Sequence, residues 1–95
     1  MGMDKEEEFY KKLKNSLLET TKFPTDYLYK FIVPSSVEKV KAIEMMFDNT
    51  GAVINTKPSK TGKYTSISIY VKMKSPDDII RKYKEVSKVE GVISL

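Results

Sequence analysis

The chain has 95 residues, 40% of them apolar and 32% charged, which is the size and balance of one small folded domain with a single hydrophobic core. It has no cysteine and no histidine, which removes disulfides, thiolate nucleophiles, most neutral-pH general bases and most transition-metal sites. Its apolar runs fall far short of the ~20 residues of a membrane span, and its start is acidic, so a cytoplasmic protein without a signal peptide, membrane span, metal or cofactor is expected.

Gly2 follows Met1, but Glu6 stands where a myristoylation motif carries Ser or Thr, so Gly2 reads as a start-site residue. From about Asp4 to Glu19 the spacing of Phe9, Leu13 and Leu17 predicts an amphipathic helix. Pro24 biases Phe23 to extended backbone, and the aromatic and β-branched run Tyr27 to Val33 predicts a strand that Pro34 ends. Ser35 followed by Glu38 has the form of a capping box, opening a helix whose stripe is Val37, Val40, Ile43 and Phe47, with Met45 and Met46 as core filler, and which closes by Asn49 and Gly51.

Ala52 to Thr56 and Tyr64 to Met73 read as the strands of a hairpin whose turn is Pro58 to Gly62. Ser75 caps a third helix with Pro76 at its first position and Asp77 and Asp78 in the first turn. The adjacent carboxylates of Asp77 and Asp78 diverge by about 100° on a helix, so capping accounts for them better than metal binding or acid–base chemistry. Ile79, Ile80, Tyr83 and Val86 form that helix's buried stripe, Gly91 ends it, and Val92 to Leu95 reads as a last strand.

The order is one helix followed by β-α-β-β-α-β, which predicts a ferredoxin-like two-layer α/β sandwich over residues 23–95 with an amphipathic helix over residues 1–22. Alternation along Tyr64–Met73 places Ile67, Ile69, Val71 and Met73 in the core and Tyr64, Ser66, Ser68, Tyr70 and Lys72 on the opposite face. Likewise Tyr29, Phe31 and Val33 face the helices, while Leu28, Lys30 and Ile32 lie on the open face. That open face, or a second subunit, is the expected resting place for Phe9, Leu13 and Leu17.

The net charge of +4 is uneven. Residues 57–75 carry Lys57, Lys60, Lys63, Lys72 and Lys74 with no acid, and no Asp or Glu occurs between Asp48 and Asp77. This segment forms a positive surface that attracts anions. Around the turn, Lys57, Ser59, Lys60, Gly62, Lys63 and Tyr64 combine ammonium groups, hydroxyls and a glycine that lets backbone N–H groups approach a ligand. Lysines and Pro58 at a sheet edge also discourage edge-to-edge pairing, so protection of the edge is the competing explanation.

Three runs carry a resemblance: Phe23-Pro24-x-x-Tyr27-x-Tyr29-Lys30-Phe31, Lys57-Pro58-Ser59-x-x-Gly62-Lys63-Tyr64-x-Ser66-x-Ser68, and Gly91-Val92-Ile93. Over residues 22–95 the chain resembles the YbeD-like family of small bacterial proteins. The resemblance implies a sandwich similar to ACT domains, the ligand-sensing modules of amino-acid metabolism, in bacterial cytoplasm. Amino-acid-binding ACT domains carry a glycine-containing turn after the first strand, where this chain has Pro34-Ser35-Ser36, so binding at that position is not expected. Residues and resemblance together point to a non-enzymatic regulatory or adaptor module that binds a small anionic metabolite or a protein partner at Lys57–Tyr64 and self-associates. The alternative is weak single-stranded RNA binding through Tyr64, Tyr70, Lys30 and Lys72, against which stand sixteen Lys to one Arg and the lack of the aromatic-glycine signature of RNA-recognition sheets.

Overall fold

A computed structural model describes residues 3–95; Gly2 lies outside them. The elements in chain order are α1 (Met3–Thr20), β1 (Thr25–Pro34), α2 (Val37–Met46), β2 (Val53–Pro58), β3 (Tyr64–Met73), α3 (Pro76–Val86) and β4 (Ile93–Ser94). The strands form one sheet in the order β2-β3-β1-β4, and every pairing is antiparallel. Three helices and a four-stranded antiparallel sheet make an α+β architecture compatible with a ferredoxin-like fold.

The centre of the sheet is the ten-residue ladder between β1 and β3, running from Thr25 opposite Met73 to Pro34 opposite Tyr64. Side chains alternate across it, so Tyr29, Phe31 and Val33 of β1 join Ile67, Ile69, Val71 and Met73 of β3 in the core. Ile43 and Phe47 of the α2 end and Ile79 and Val86 of α3 close over them. Each fully buried side chain of this kind contributes about 1.5–3 kcal/mol. Tyr29 stacks on Phe31 at 5.7 Å, and its hydroxyl donates to the Ile79 carbonyl at 3.0 Å. The Tyr27 and Tyr83 hydroxyls share a hydrogen bond of 2.7 Å, so the phenols are partnered where they leave water.

Several local expectations shift by a residue or two. Ser36, not Ser35, caps α2, its hydroxyl accepting from the Lys39 N–H at 3.4 Å. Ser35 is held to the sheet, since its N–H donates to the Lys63 carbonyl at 2.9 Å and its hydroxyl bonds that of Thr65 at 2.9 Å. The cap therefore moves one residue on, and Val37 at the first helical position points to solvent, 74% exposed. Met46 packs against the core while Met45 is exposed. Lys57 and Pro58 belong to β2, because Ser66 and Thr65 lie opposite them, and the turn is Ser59–Lys63. At the C-terminus, α3 ends at Val86, ahead of Gly91, and β4 has only two residues, although the Leu95 N–H donating to the Lys30 carbonyl at 2.9 Å prolongs the pairing.

The largest correction concerns α1, which lies along α3 and not on the open sheet face. Leu17 is buried and Leu13 packs on the core, but Phe9 is 62% exposed, so the stripe sinks in only at its C-terminal end. The reason lies on α3. Ile79 faces the sheet, and Ile80, about 100° further round, is buried on the side that borders Tyr10 and Lys14 of α1. Charge agrees: Lys14 pairs with Asp77 at 3.0 Å, and the Lys84 ammonium lies 5.3 Å from the Tyr10 ring centroid. The open face offers no comparable arrangement and stays uncovered by α1.

Burial, and next the Tyr83 phenol, pushes Tyr29 well above its ordinary value of 10.0, and burial with the Tyr27 hydrogen bond does the same to Tyr83. Above about pH 10 the unfolded chain releases these protons while the folded chain keeps them. Urea unfolding should therefore show stability that is level at neutral pH and falls as pH rises past 10. Tyr29→Phe should cost about 1 kcal/mol at pH 7 through the lost hydrogen bond and should make the alkaline fall shallower.

Candidate functional site

The hairpin between β2 and β3 is closed by its own hydrogen bonds. Ser59 N–H donates to the Tyr64 carbonyl at 2.7 Å, Tyr64 N–H donates to the Ser59 hydroxyl at 3.2 Å, and Gly62 N–H donates to the Ser59 carbonyl at 3.0 Å. Lys63 N–H reaches the Thr61 hydroxyl at 3.4 Å. Three backbone donors of the turn and that of Tyr64 beside it are thus spent inside the hairpin, and the Ser59 hydroxyl is an acceptor in the turn. Gly62 is needed for its left-handed φ of 75°, and a Cβ there would touch nothing within 4 Å. Its role is to shape the turn, and the positive charge at this end is carried by the side-chain ammonium groups of Lys57, Lys60 and Lys63.

Four of the six expected residues come together. Lys57, Ser59, Lys60 and Tyr64 line one depression of about 480 Å³ on the open face of the sheet, whereas Gly62 and Lys63 stand outside it. Pro58 lines it too, and Ile32 and Ser66 complete the lining. They sit there because Ile32 lies opposite Ser66 across the β1–β3 ladder and Lys57 lies opposite Ser66 across the β2–β3 ladder, which puts all three in one row on one face. Alternation along the strands assigned Ile32 and Ser66 to the open face, but only the register shows that they flank Lys57. Among the described residues, no carboxylate forms an ion pair with Lys57, Lys60 or Lys63.

The acid-free run is divided by the strand it contains. Lys57, Lys60 and Lys63 cluster at the hairpin, while Lys72 and Lys74 lie at the far end of β3. Tyr64 and Lys72 are eight residues apart, about 27 Å along an extended strand. Between them the open face carries Lys30 opposite Ser68, Leu28 opposite Tyr70, and Asp26 opposite Lys72. Asp77 and Asp78 point to different partners, Lys14 and Arg81, and Ser75 accepts from the Asp78 N–H at 3.2 Å as a helix cap.

A family model described as "Protein of unknown function (DUF493)" matches residues 19–95. The chain belongs to the DUF493 family. YbeD-like proteins are members of DUF493, so the three motif runs and the family model lead to the same group. The matched span takes in every strand, α2 and α3, together with the last two residues of α1, so the DUF493 region includes the hairpin and its depression. No curated protein and no solved structure matches the chain.

The turn and the C-terminal glycine of this DUF493 chain give a paired expectation. Gly62→Ala should cost only the left-handed backbone penalty, about 1–2 kcal/mol. Gly91 has a similar φ of 82°, but a Cβ there would lie 2.9 Å from Pro34 Cγ. Thermal or urea unfolding should therefore show Gly91→Ala to be the more destabilising of the two, by at least about 1 kcal/mol.

Proposed function

We propose that this DUF493 protein is a non-enzymatic regulatory or adaptor module that engages an acidic segment of a protein partner at the hairpin end of its open sheet face. The observation that carries this reading is the depression where Lys57 and Lys60, both free of ion pairs among the described residues, flank Ile32 and Tyr64. Cationic side chains beside exposed apolar surface suit an acidic chain with an apolar or aromatic anchor. A small metabolite is the weaker fit. Small-molecule sites enclose about 70–90% of their ligand, and here Lys57, Pro58, Ser59, Lys60 and Tyr64 are themselves exposed.

The fold supports an ACT-like assignment, in keeping with a regulatory role, because α2 and α3 cover one face of the β-α-β-β-α-β sheet and leave the other open. The non-enzymatic reading rests on the lack of histidine and cysteine and on the use of the Ser59 hydroxyl inside the turn. Self-association would use the outer edge of β2 or the apolar part of the open face around Leu28, Val53 and Tyr70. RNA binding has one feature in its favour, since Tyr64 and Tyr70 are 47% and 54% exposed on a face that also carries lysines. They are six residues apart on one strand, about 20 Å, which is too far to stack successive bases.

Fluorescence anisotropy with a labelled glutamate-rich peptide carrying one phenylalanine tests the site. Saturable binding should weaken about five- to tenfold in the Lys57→Gln/Lys60→Gln double variant and hardly change in Lys63→Gln. Equal loss in both variants would reduce the effect to net charge. Steeply salt-dependent binding of a single-stranded oligonucleotide at the same residues, with none of the peptide, would move the assignment to RNA.

A further inference from the structure

The opposite end of β3 forms a different concavity. Pairing with β2 stops at Val53 opposite Tyr70, so Val71, Lys72 and Met73 have no β2 residue beside them. The turn after α2 occupies this end instead, reversing through left-handed residues at Asn49 (φ 61°) and Gly51 (φ 77°). Between that turn, the unpaired edge of β3 and the outer side of α3 lies a cleft of about 430 Å³.

Its floor is apolar, made by Phe47, Val71 and Met73, each almost wholly covered by the rest of the chain. Its walls are charged, and the charges divide by their partners. Arg81 donates to Asp78 at 2.9 Å. Lys82 donates to the Met46 carbonyl at the end of α2, pairs with Glu85 at 3.1 Å, and sits 5.1 Å from the Phe47 ring centroid. Both acids of the cleft are therefore answered within α3, and Lys82 is held in place by three groups. Lys72 and Lys74 line the same cleft from the end of β3 and form no ion pair among the described residues, although Asp26 stands opposite Lys72 across the β1–β3 ladder. Two lysines without ion pairs are left beside an apolar floor.

We propose that this cleft is a second binding site, for a small organic anion with a compact apolar body. The ammonium groups of Lys72 and Lys74 hold the anionic head, Phe47, Val71 and Met73 receive the body, and the edge of β3 not covered by β2 can supply main-chain hydrogen bonds. The volume lies within the range of about 300–1,000 Å³ usual for small-molecule sites, and a buried floor can enclose a ligand in a way that the exposed hairpin depression cannot. The ion pairs of α3 also keep Asp78 and Glu85 from repelling the incoming charge. The site stands apart from the hairpin reading, since it lies at the other end of the ten-residue β3, about 30 Å away.

The test is an amide NMR titration of the full chain with benzoate, phenyl phosphate, benzyl alcohol and benzylammonium. Benzoate or phenyl phosphate should give saturable shifts at Asn49, Thr50 and Lys72 to Lys74, with dissociation constants of about 1–10 mM. Lys72→Gln/Lys74→Gln should weaken this at least about fivefold, while Lys57→Gln/Lys60→Gln leaves it unchanged. Whichever of the two anions binds tighter identifies the head group as carboxylate or phosphate. The proposal is overturned if benzyl alcohol or benzylammonium binds as well as the anions, if the shifts map to Ile32 and Lys57 to Ser66, or if neither anion shows saturable shifts by about 10 mM. Both lysines are exposed, and the wild-type comparison of anion with alcohol and ammonium does not depend on any variant folding.

Discussion

The antiparallel ladder between β1 and β3 is the constraint on which the rest of the molecule depends. Its register gives the sheet two unlike faces. One carries Tyr29, Phe31, Val33, Ile67, Ile69 and Val71, which are out of water and sealed by α2 and α3. The other carries lysines, serines, tyrosines and a few aliphatic side chains, because a period of two sends each neighbour to the opposite side. A slip of one residue would exchange the faces, exposing the core and burying Lys30 and Lys72 without partners. Register in this chain is thus enforced by a large energetic penalty, and the position of every open-face group follows from it.

The ladder also decides where the positive charge goes. The acid-free run reads as one basic patch along the chain, yet β3 is extended for ten residues in its middle and carries the lysines to two ends. At the hairpin the turn uses several of its own backbone donors, and Lys57 and Lys60 present their ammonium groups on an open surface. At the other end β2 falls short of β3, and the exposed Lys72 and Lys74 border a cleft that the turn after α2 and α3 form beside buried apolar groups. The same residue type is therefore set in two environments, one suited to a broad partner surface and one to a small molecule.

Much of the fold was legible in the sequence because its cues are local. The alternation of Tyr64–Met73, the Ser75-Pro76-Asp77-Asp78 start of α3, and the Val40, Ile43 and Phe47 stripe of α2 each follow from a single periodicity or cap. What was not legible depended on contacts between distant residues. Ser35 has the chemistry of a cap, but its bonds to Lys63 and Thr65 hold it in the sheet, and Ser36 takes the role. Ile80 looks like one more member of the α3 stripe, and nothing local shows that it receives α1. The depression at the hairpin was half visible: Lys57, Ser59, Lys60 and Tyr64 stand out by composition, while Ile32 and Ser66 join them only through pairing across two ladders.

Everything proposed for the open face requires that α1 leave it free. Side-chain proton distances from nuclear Overhauser effects in the full chain test this most directly. The account predicts contacts from Leu13 and Leu17 of α1 to the core and from Tyr10 to Ile80 and Lys84 of α3, with none from α1 to Leu28, Ile32 or Tyr70. Contacts between Phe9 or Leu13 and the Leu28–Tyr70 row would place α1 on the open sheet face and contradict the account.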